Sequence, residues 1–98
     1  MHVVIRKFDR VMSPKAAIQR AQTGLGVLMR SCPGFRGYYI FDAGSGTIGS
    51  ITLFETKDEA MVAHDKAMAW VRESLADVID GEPIVTEGEI AAIVEPFP

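Results

Sequence analysis

Residues 35 to 55, FRGYYIFDAGSGTIGSITLFE, contain two β-strands and the turn between them, and this stretch decides the fold. Its first run, Phe35 to Asp42, and its second, Thr47 to Glu55, are rich in the aromatic and β-branched residues that favour strands. Between them, the glycines of AGSG (Ala43 to Gly46) flank a serine and supply the backbone freedom that a hairpin loop needs. The stretch therefore predicts an antiparallel hairpin.

A first helix is predicted before the hairpin. Ser13-Pro14 is a typical helix start, and an apolar stripe at spacings of three and four residues follows as far as Cys32. Pro33-Gly34 ends the helix. Gly24 and Gly26 lie inside it, and because glycine weakens a helix, they indicate a close backbone approach, a kink or a break.

A second helix and two outer strands complete the pattern. Thr56 and Glu59 predict a capping box, and the helix that they start is expected to run to about Asp80. Residues 2–8, HVVIRKF, predict a strand before the first helix. Residues 83–95, PIVTEGEIAAIVE, predict a last strand with a bulge or bend at its glycine.

The order strand, helix, strand, strand, helix, strand is the split βαβ arrangement of ferredoxin-like domains. We therefore expect one α+β domain over residues 1–98, with one antiparallel sheet and two helices on one of its faces. The other face has no helix to cover it, yet the strands are apolar on both sides, as in YYIF at 38–41. An uncovered apolar face needs a partner, so we expect a homodimer in which two sheets meet, with Phe41 in the interface.

Composition and charge disfavour several classes of function. The net charge is −3 and no segment collects Lys and Arg, which argues against nucleic acid as a partner. No apolar run reaches the ~18 residues of a membrane span, and the charged N-terminus does not resemble a signal peptide. Cys32, the only cysteine, indicates a reducing cytoplasm. The two histidines, His2 and His64, lack the spacing of a metal site, so no metal is expected.

Three short motifs carry a resemblance to a known family: PGF at 33–35, SITLFE at 50–55 and TKDEAMVAH at 56–64. With them, nearly the whole chain resembles the antibiotic-biosynthesis-monooxygenase-like (ABM-like) proteins of the dimeric α/β-barrel superfamily. The resemblance implies a ferredoxin-like fold dimerised through its sheets, with a ligand pocket between helices and sheet. Its members include cofactor-free oxygenases, haem-degrading enzymes, isomerases and proteins of unknown role, so the scaffold alone does not choose an activity.

The resemblance also sets one activity aside. Haem-degrading members use an Asn on the first strand, then a Trp and a His on the second helix, and here Ile5, His64 and Ser74 fall near those places. The chain contains no Asn, so the haem-degrading triad is absent and no cofactor is expected. The family's usual Trp at the end of the third strand is Phe54 here, which keeps an aromatic surface for a substrate but loses an N–H donor.

His64 and Trp70 are expected on different faces of the second helix. At about 100° per residue, His64 shares the sheet-facing side with Met61 and Met68. His64 is therefore either a core histidine or a cavity residue that acts as a general base, with the methionines beside the substrate. Trp70 points roughly 120 to 140° away, which predicts contact with a second subunit or, alternatively, stacking on an aromatic ligand.

The strands contribute three further candidates. Because neighbouring side chains alternate, one of Tyr38 and Tyr39 must face the helices and reach the cavity of His64. Arg6 either points into that cavity, where it would bind an anionic or phenolate oxygen, or pairs with an acid at the sheet edge.

Together these residues predict a small-molecule-binding ABM-like protein, whose activity is cofactor-independent monooxygenation of a phenolic or other aromatic substrate. His64 and Arg6 are the expected catalytic residues. The expected substrate-binding residues are Tyr38, Tyr39, Phe54, Met61 and Met68. The alternative is a non-catalytic dimeric ligand-binding or scaffold domain with a packed interior.

Overall fold

In a computed structural model that describes residues 1–97, four strands form one sheet. The strands are β1 (His2–Phe8), β2 (Phe35–Gly44), β3 (Thr47–Phe54) and β4 (Ile84–Glu89). Neighbouring strands are antiparallel, and their order is β2-β3-β1-β4. Both helices pack on the same face, so the predicted α+β ferredoxin-like fold is confirmed. Within the residues described, no helix is long and apolar enough to cross a membrane.

The hairpin of β2 and β3 forms as the sequence predicts. The two strands pair from Phe35 opposite Phe54 to Gly44 opposite Thr47. The turn between them has a positive φ at both of its glycines and at Ser45, where φ is 54°. This left-handed backbone costs glycine little and is the reason for the AGSG composition.

The first helix is continuous but changes its winding. It begins as Pro14–Arg20, widens into a π-helical turn at Ala21–Leu25 and continues as Gly26–Ser31. A β-carbon at Gly24 would lie only 2.5 Å from Cζ2 of Trp70 on the second helix. The sequence left a close approach, a kink or a break open for the glycines. At Gly24 the structure shows a close approach of the two helices, within the π-helical turn.

The second helix is shorter than expected. It spans Lys57–Ser74, whereas the sequence predicted an end near Asp80. After Ser74 the chain turns back, and Ile79 forms an isolated β-bridge with Val11. The prediction was wrong because this pairing with the loop after β1 competes with the helix, and apolar spacing alone does not reveal it.

The sheet-facing side of this helix is centred on alanines and not on His64. Ala60, Ala63 and Ala67 have no exposed surface, whereas His64 is only partly buried. Small side chains at these spacings bring the helix close to the sheet. His64 is thereby moved to the flank of the buried side, instead of its middle as expected.

The last strand is shorter than expected. β4 pairs with β1 from Ile84 opposite Lys7 to Glu89 opposite His2, and the next amide, Ile90 N–H, donates to the carbonyl of Met1. The strand thus ends at Glu89 and does not extend to Glu95 as the sequence predicted, and Gly88 keeps regular pairing without a bulge.

Alternation along β1 separates two different environments. His2, Val4, Arg6 and Phe8 are buried beneath the helices. Val3 and Ile5 lie on the opposite face, where Tyr39 and Phe41 of β2 are 60% and 47% exposed. This open sheet face is apolar and uncovered within the chain. The helix-covered face holds the core and, at Arg6, a buried charge.

The two helical glycines give a matched test of packing. Gly24→Ala should lower the free energy of unfolding by about 1–2 kcal/mol, because the new methyl group overlaps the indole of Trp70. Gly26→Ala should raise it by about 0.5–1 kcal/mol, since its methyl group meets its nearest atoms at 3.6 and 3.7 Å and alanine favours a helix. Urea denaturation measures both. Equal effects of the two substitutions would contradict this packing.

Candidate ligand site around Arg6

Arg6 carries a guanidinium group that is almost completely withdrawn from water. The residue is 1% exposed. Its Nε donates to Nδ1 of His64 at 3.0 Å, and its Nη1 donates to Oγ1 of Thr52 at 3.3 Å. Among the residues described, its Nη2 is buried and has no hydrogen-bond partner. At least one N–H donor group of this guanidinium, at Nη2, therefore has no acceptor among the described residues.

Neither partner of Arg6 carries a negative charge. Burial lowers the pKa of Arg6 from 12.5 to about 10, while interaction with Tyr38 opposes that change. The side chain is thus still cationic at neutral pH. At about 1.4 kcal/mol per pKa unit, holding the charge here costs the fold roughly 3 kcal/mol. A cost of this size at an unpaired buried cation indicates a functional site.

His64 supports Arg6 from the second helix. Burial lowers the pKa of His64 below its ordinary value of 6.5, and the nearby charge of Arg6 lowers it further. The imidazole is therefore neutral at pH 7, and because its Nδ1 accepts from Arg6, its hydrogen lies on Nε2. In this arrangement the lone pair that a general base would use is already engaged.

A shallow cleft of about 340 Å³ opens in front of His64. Met68 also lines the cleft, and Arg72 and Glu82 form an ion pair of 3.1 Å at its wall. Of the two interpretations that the sequence left open for His64, this position fits the cavity residue, and its role there stays a prediction. The carboxylate of Glu82 makes this cleft a poor place for an anion.

A larger groove lies on the other side of the Arg6 cluster, against Tyr38. Tyr38 is directly opposite Thr52 in the β2–β3 register. Burial raises the pKa of Tyr38 to about 12, although the charge of Arg6 acts in the opposite direction, so the phenol stays neutral. The groove has a volume of about 430 Å³. It is lined by Ile18, Gln22, Gly26, Val27 and Arg30 of the first helix and by Phe35, Tyr38 and Ile40.

The other predicted site residues lie elsewhere. Tyr39 is on the open sheet face, so of the two tyrosines only Tyr38 faces the helices. Phe54 is fully buried and packs edge-to-face on Phe35, with ring centres 5.8 Å apart. Met61 packs at the edge of the core. Tyr39 therefore lies on the opposite side of the sheet from Arg6, and Phe54 is a core residue.

Two predicted interface residues also have defined places. Phe41 lies on the open sheet face over Gly49, where it is available to a second subunit. Trp70 is half-buried, and its indole rests on Gly24 within the chain. An intramolecular contact thus already occupies part of the indole surface, and a role for Trp70 between subunits stays a prediction.

Sequence reasoning missed four residues of this site. Thr52 accepts from Arg6, and the signal for it was a polar residue at an inward position of an apolar strand. Gln22, Gly26 and Arg30 line the groove at helical spacings of four. That stripe of polar and small residues runs along the first helix beside its apolar stripe, and its spacing is the sequence signal for it.

The fold and this groove define a class: ferredoxin-like α+β proteins with an open groove between the first helix and β2. No protein-family profile matches the chain, and no curated protein matches it significantly. Solved structures do match, and three of them share 10–20% sequence identity with this chain.

NE2512, a protein of unknown function from Nitrosomonas europaea, aligns with a TM-score of 0.76 and 16% identity, over 99% of this chain and 95% of its own. A monooxygenase from the gene ActVA-Orf6 of Streptomyces coelicolor, in complex with nanaomycin D, aligns with a TM-score of 0.76 and 20% identity, over 98% and 92%. SnoaB, a cofactor-independent oxygenase from Streptomyces nogalater, aligns with a TM-score of 0.75 and 10% identity, over 97% of both chains. The chain therefore has the fold of the ABM-like proteins, and identities this low establish the fold alone.

Removing the buried charge should stabilise the protein. Arg6→Met keeps most of the volume and removes the cost of burying an unpaired cation, so we expect the free energy of unfolding to rise by about 1–3 kcal/mol. Chemical denaturation at pH 7 measures it, with Arg10→Met as a control for loss of an exposed arginine that pairs with Asp80. A less stable Arg6→Met protein would show that Arg6 is structural and would weaken its assignment to a ligand site.

Proposed function

We propose that this chain is a small-molecule-binding ABM-like protein that binds a phenolic aromatic as its phenolate and oxygenates it without a cofactor. One observation carries the proposal: Arg6 is a buried cation with no carboxylate on it and with a free Nη2 donor among the described residues. A phenolate oxygen supplies the missing negative charge and the missing acceptor. A buried guanidinium also lowers the pKa of a bound phenol, because it favours the charged form.

The groove beside Tyr38 is the place for the ring system. Ile18, Phe35 and Ile40 give it apolar walls that suit fused aromatic rings. Arg6 donates to Thr52, which lies opposite Tyr38 in the sheet, and has almost no accessible surface. The proposal therefore requires the side chain of Tyr38 to move before a phenolate can reach Arg6. The nanaomycin D complex of the ActVA-Orf6 monooxygenase supports a fused-ring ligand, since that protein has the same fold.

The reaction needs only the substrate and dioxygen. The phenol loses its O–H proton, and the phenolate forms a bond from its para carbon to O₂, which gives a peroxide at that carbon after protonation. Loss of the ring C–H proton breaks the O–O bond and releases hydroxide, which takes up that proton as water. A phenol and one O₂ thus give a quinone and one water. Arg6 acts by stabilising the phenolate that starts the sequence.

His64 enters this proposal as a positioning residue for Arg6. Its predicted role as general base requires Nδ1 to release the guanidinium first. A glutamine at this position retains a hydrogen-bond acceptor but has no basic nitrogen. Comparison of His64→Gln with His64→Ala therefore separates the two roles.

The non-catalytic alternative rests on the same geometry. An inaccessible Arg6 and an engaged His64 lone pair suit a domain that binds an anion without transforming it. Such a protein would bind phenols tightly and consume no oxygen. Turnover therefore decides between an enzyme and a ligand-binding module.

The turnover test uses 1-naphthol in air-saturated, chelator-treated buffer without added flavin. We expect the wild-type protein to form 1,4-naphthoquinone with one O₂ consumed per product. Arg6→Met should lower kcat by about 100-fold or more, as loss of an oxyanion donor does. Arg10→Met, at an exposed arginine that pairs with Asp80, serves as the control and should leave kcat unchanged.

The histidine variants refine the result. His64→Gln should keep most of the activity if His64 positions Arg6, and should match an inactive His64→Ala if it is the base. Oxygen consumption that is equal in wild type and Arg6→Met would refute the enzymatic proposal. Tight binding with no product would favour the non-catalytic domain.

We also propose that two copies associate through the open sheet face. Tyr39, Phe41 and Ile84 are exposed there, and Ile5 and Ile51 are partly exposed, so the face offers continuous apolar area. Meeting of two such faces would enclose a barrel. The resemblance to the dimeric α/β-barrel superfamily supports this arrangement.

Self-association can be tested by sedimentation equilibrium at micromolar concentration. The wild-type chain should have the mass of a dimer, and Ile51→Glu should be monomeric, because the substitution buries an unpaired charge in the proposed contact. Val62→Glu is the control, since Val62 is 55% exposed on the second helix. A monomeric wild type would contradict the proposed dimer.

The proposed location is the cytoplasm. Cys32 is buried and free, which fits a reducing compartment. Fractionation of cells that express the full-length protein checks this proposal.

A further inference from the structure

Among the described residues, the six arginines divide into two groups. Four form ion pairs with carboxylates: Arg10 with Asp80, Arg20 with Asp77, Arg36 with Glu55 and Arg72 with Glu82. Arg6 and Arg30 have no carboxylate partner. Both of these lie near Tyr38: Arg30 lines the same groove as Tyr38, and Arg6 donates to Thr52, which is opposite Tyr38 in the sheet. A ligand beside Tyr38 would therefore lie near two guanidinium groups that have no carboxylate partner among the described residues.

The groove contains nothing that would neutralise Arg30. Its lining residues include no Asp or Glu. Arg30 follows Gln22 and Gly26 at spacings of four residues, so the three face the groove from one side of the first helix. Gly26 faces the ring of Tyr38, and its missing side chain leaves the groove open there. Arg30 lies four residues, about 6 Å, further along the helix.

From this arrangement we infer that the ligand of the groove carries two acidic groups: a phenol at the Arg6 end and a carboxylate that Arg30 binds. The inference rests on the proposed phenol-binding function and specifies its ligand as a hydroxyaryl carboxylate. Arg30 recognises the carboxylate through its planar fork of N–H donors. The amide of Gln22, one turn before Gly26, is available to a polar substituent between the two ends.

Three fluorescent probes separate the two ends of such a ligand. 2-Naphthol has only the phenol, 2-naphthoate has only the carboxylate, and 6-hydroxy-2-naphthoate has both at opposite ends. The wild-type protein should bind 6-hydroxy-2-naphthoate about threefold or more tightly than 2-naphthol, as expected for one partly exposed ion pair. That advantage should shrink as salt is added.

Substitutions then assign each end. Arg30→Gln should remove the advantage of 6-hydroxy-2-naphthoate and leave the Kd of 2-naphthol unchanged, and Arg30→Lys should restore part of it. Arg10→Gln removes one positive charge outside the groove and is the matched control for net charge. Arg6→Met should weaken both phenolic probes.

The outcomes distinguish this inference from the proposed function. If both phenolic probes bind equally well to the wild type, or if Arg10→Gln acts like Arg30→Gln, Arg30 does not select a carboxylate, and the phenol site stands alone. If 2-naphthol and 6-hydroxy-2-naphthoate bind no better to the wild type than to Arg6→Met, the phenol site itself fails and the inference fails with it.

Discussion

The hydrogen bond from Arg6 to His64 joins the sheet to the second helix. Because the guanidinium of Arg6 is charged and buried, the side chains around it must supply hydrogen-bond acceptors. Thr52 supplies a second neutral acceptor, and Tyr38, opposite Thr52 in the sheet, lines the larger groove. The alanine-rich side of the second helix brings the helix close enough for His64 to reach the guanidinium. An unpaired cation at one point of an otherwise apolar layer lowers stability, and this cost is the reason for the proposal of a ligand there.

The sequence predicted the elements well and the orientation of the central residues only in part. The hairpin and the helix starts follow from local signals such as AGSG and Ser13-Pro14. The faces were harder, because β1 is apolar on both sides: Val4 and Phe8 on one, Val3 and Ile5 on the other. Alternation shows that Arg6 shares a face with Val4, but not which face meets the helices. Only the packed structure resolves that choice.

The element ends illustrate a second limit. Both the second helix and β4 stop before their apolar patterns do. After the helix, Ile79 pairs with Val11, and β4 ends where its pairing with His2 of β1 ends. Partners distant in sequence set these boundaries. The helical glycines show the same point, since Gly24 accommodates Trp70 whereas Gly26 faces an open groove. Of these two glycines, Gly24 makes room for a packed side chain, and Gly26 lines the groove.

Arg6 is proposed to be held as a cation for an anionic phenol. The most direct test is the ionisation of bound 4-nitrophenol, whose phenolate absorbs visible light, titrated in the protein and in buffer. We expect the wild-type protein to lower the pKa of the bound probe by about one unit or more, and Arg6→Met to abolish the effect. The same pKa for the probe in wild type, in Arg6→Met and in buffer would contradict it.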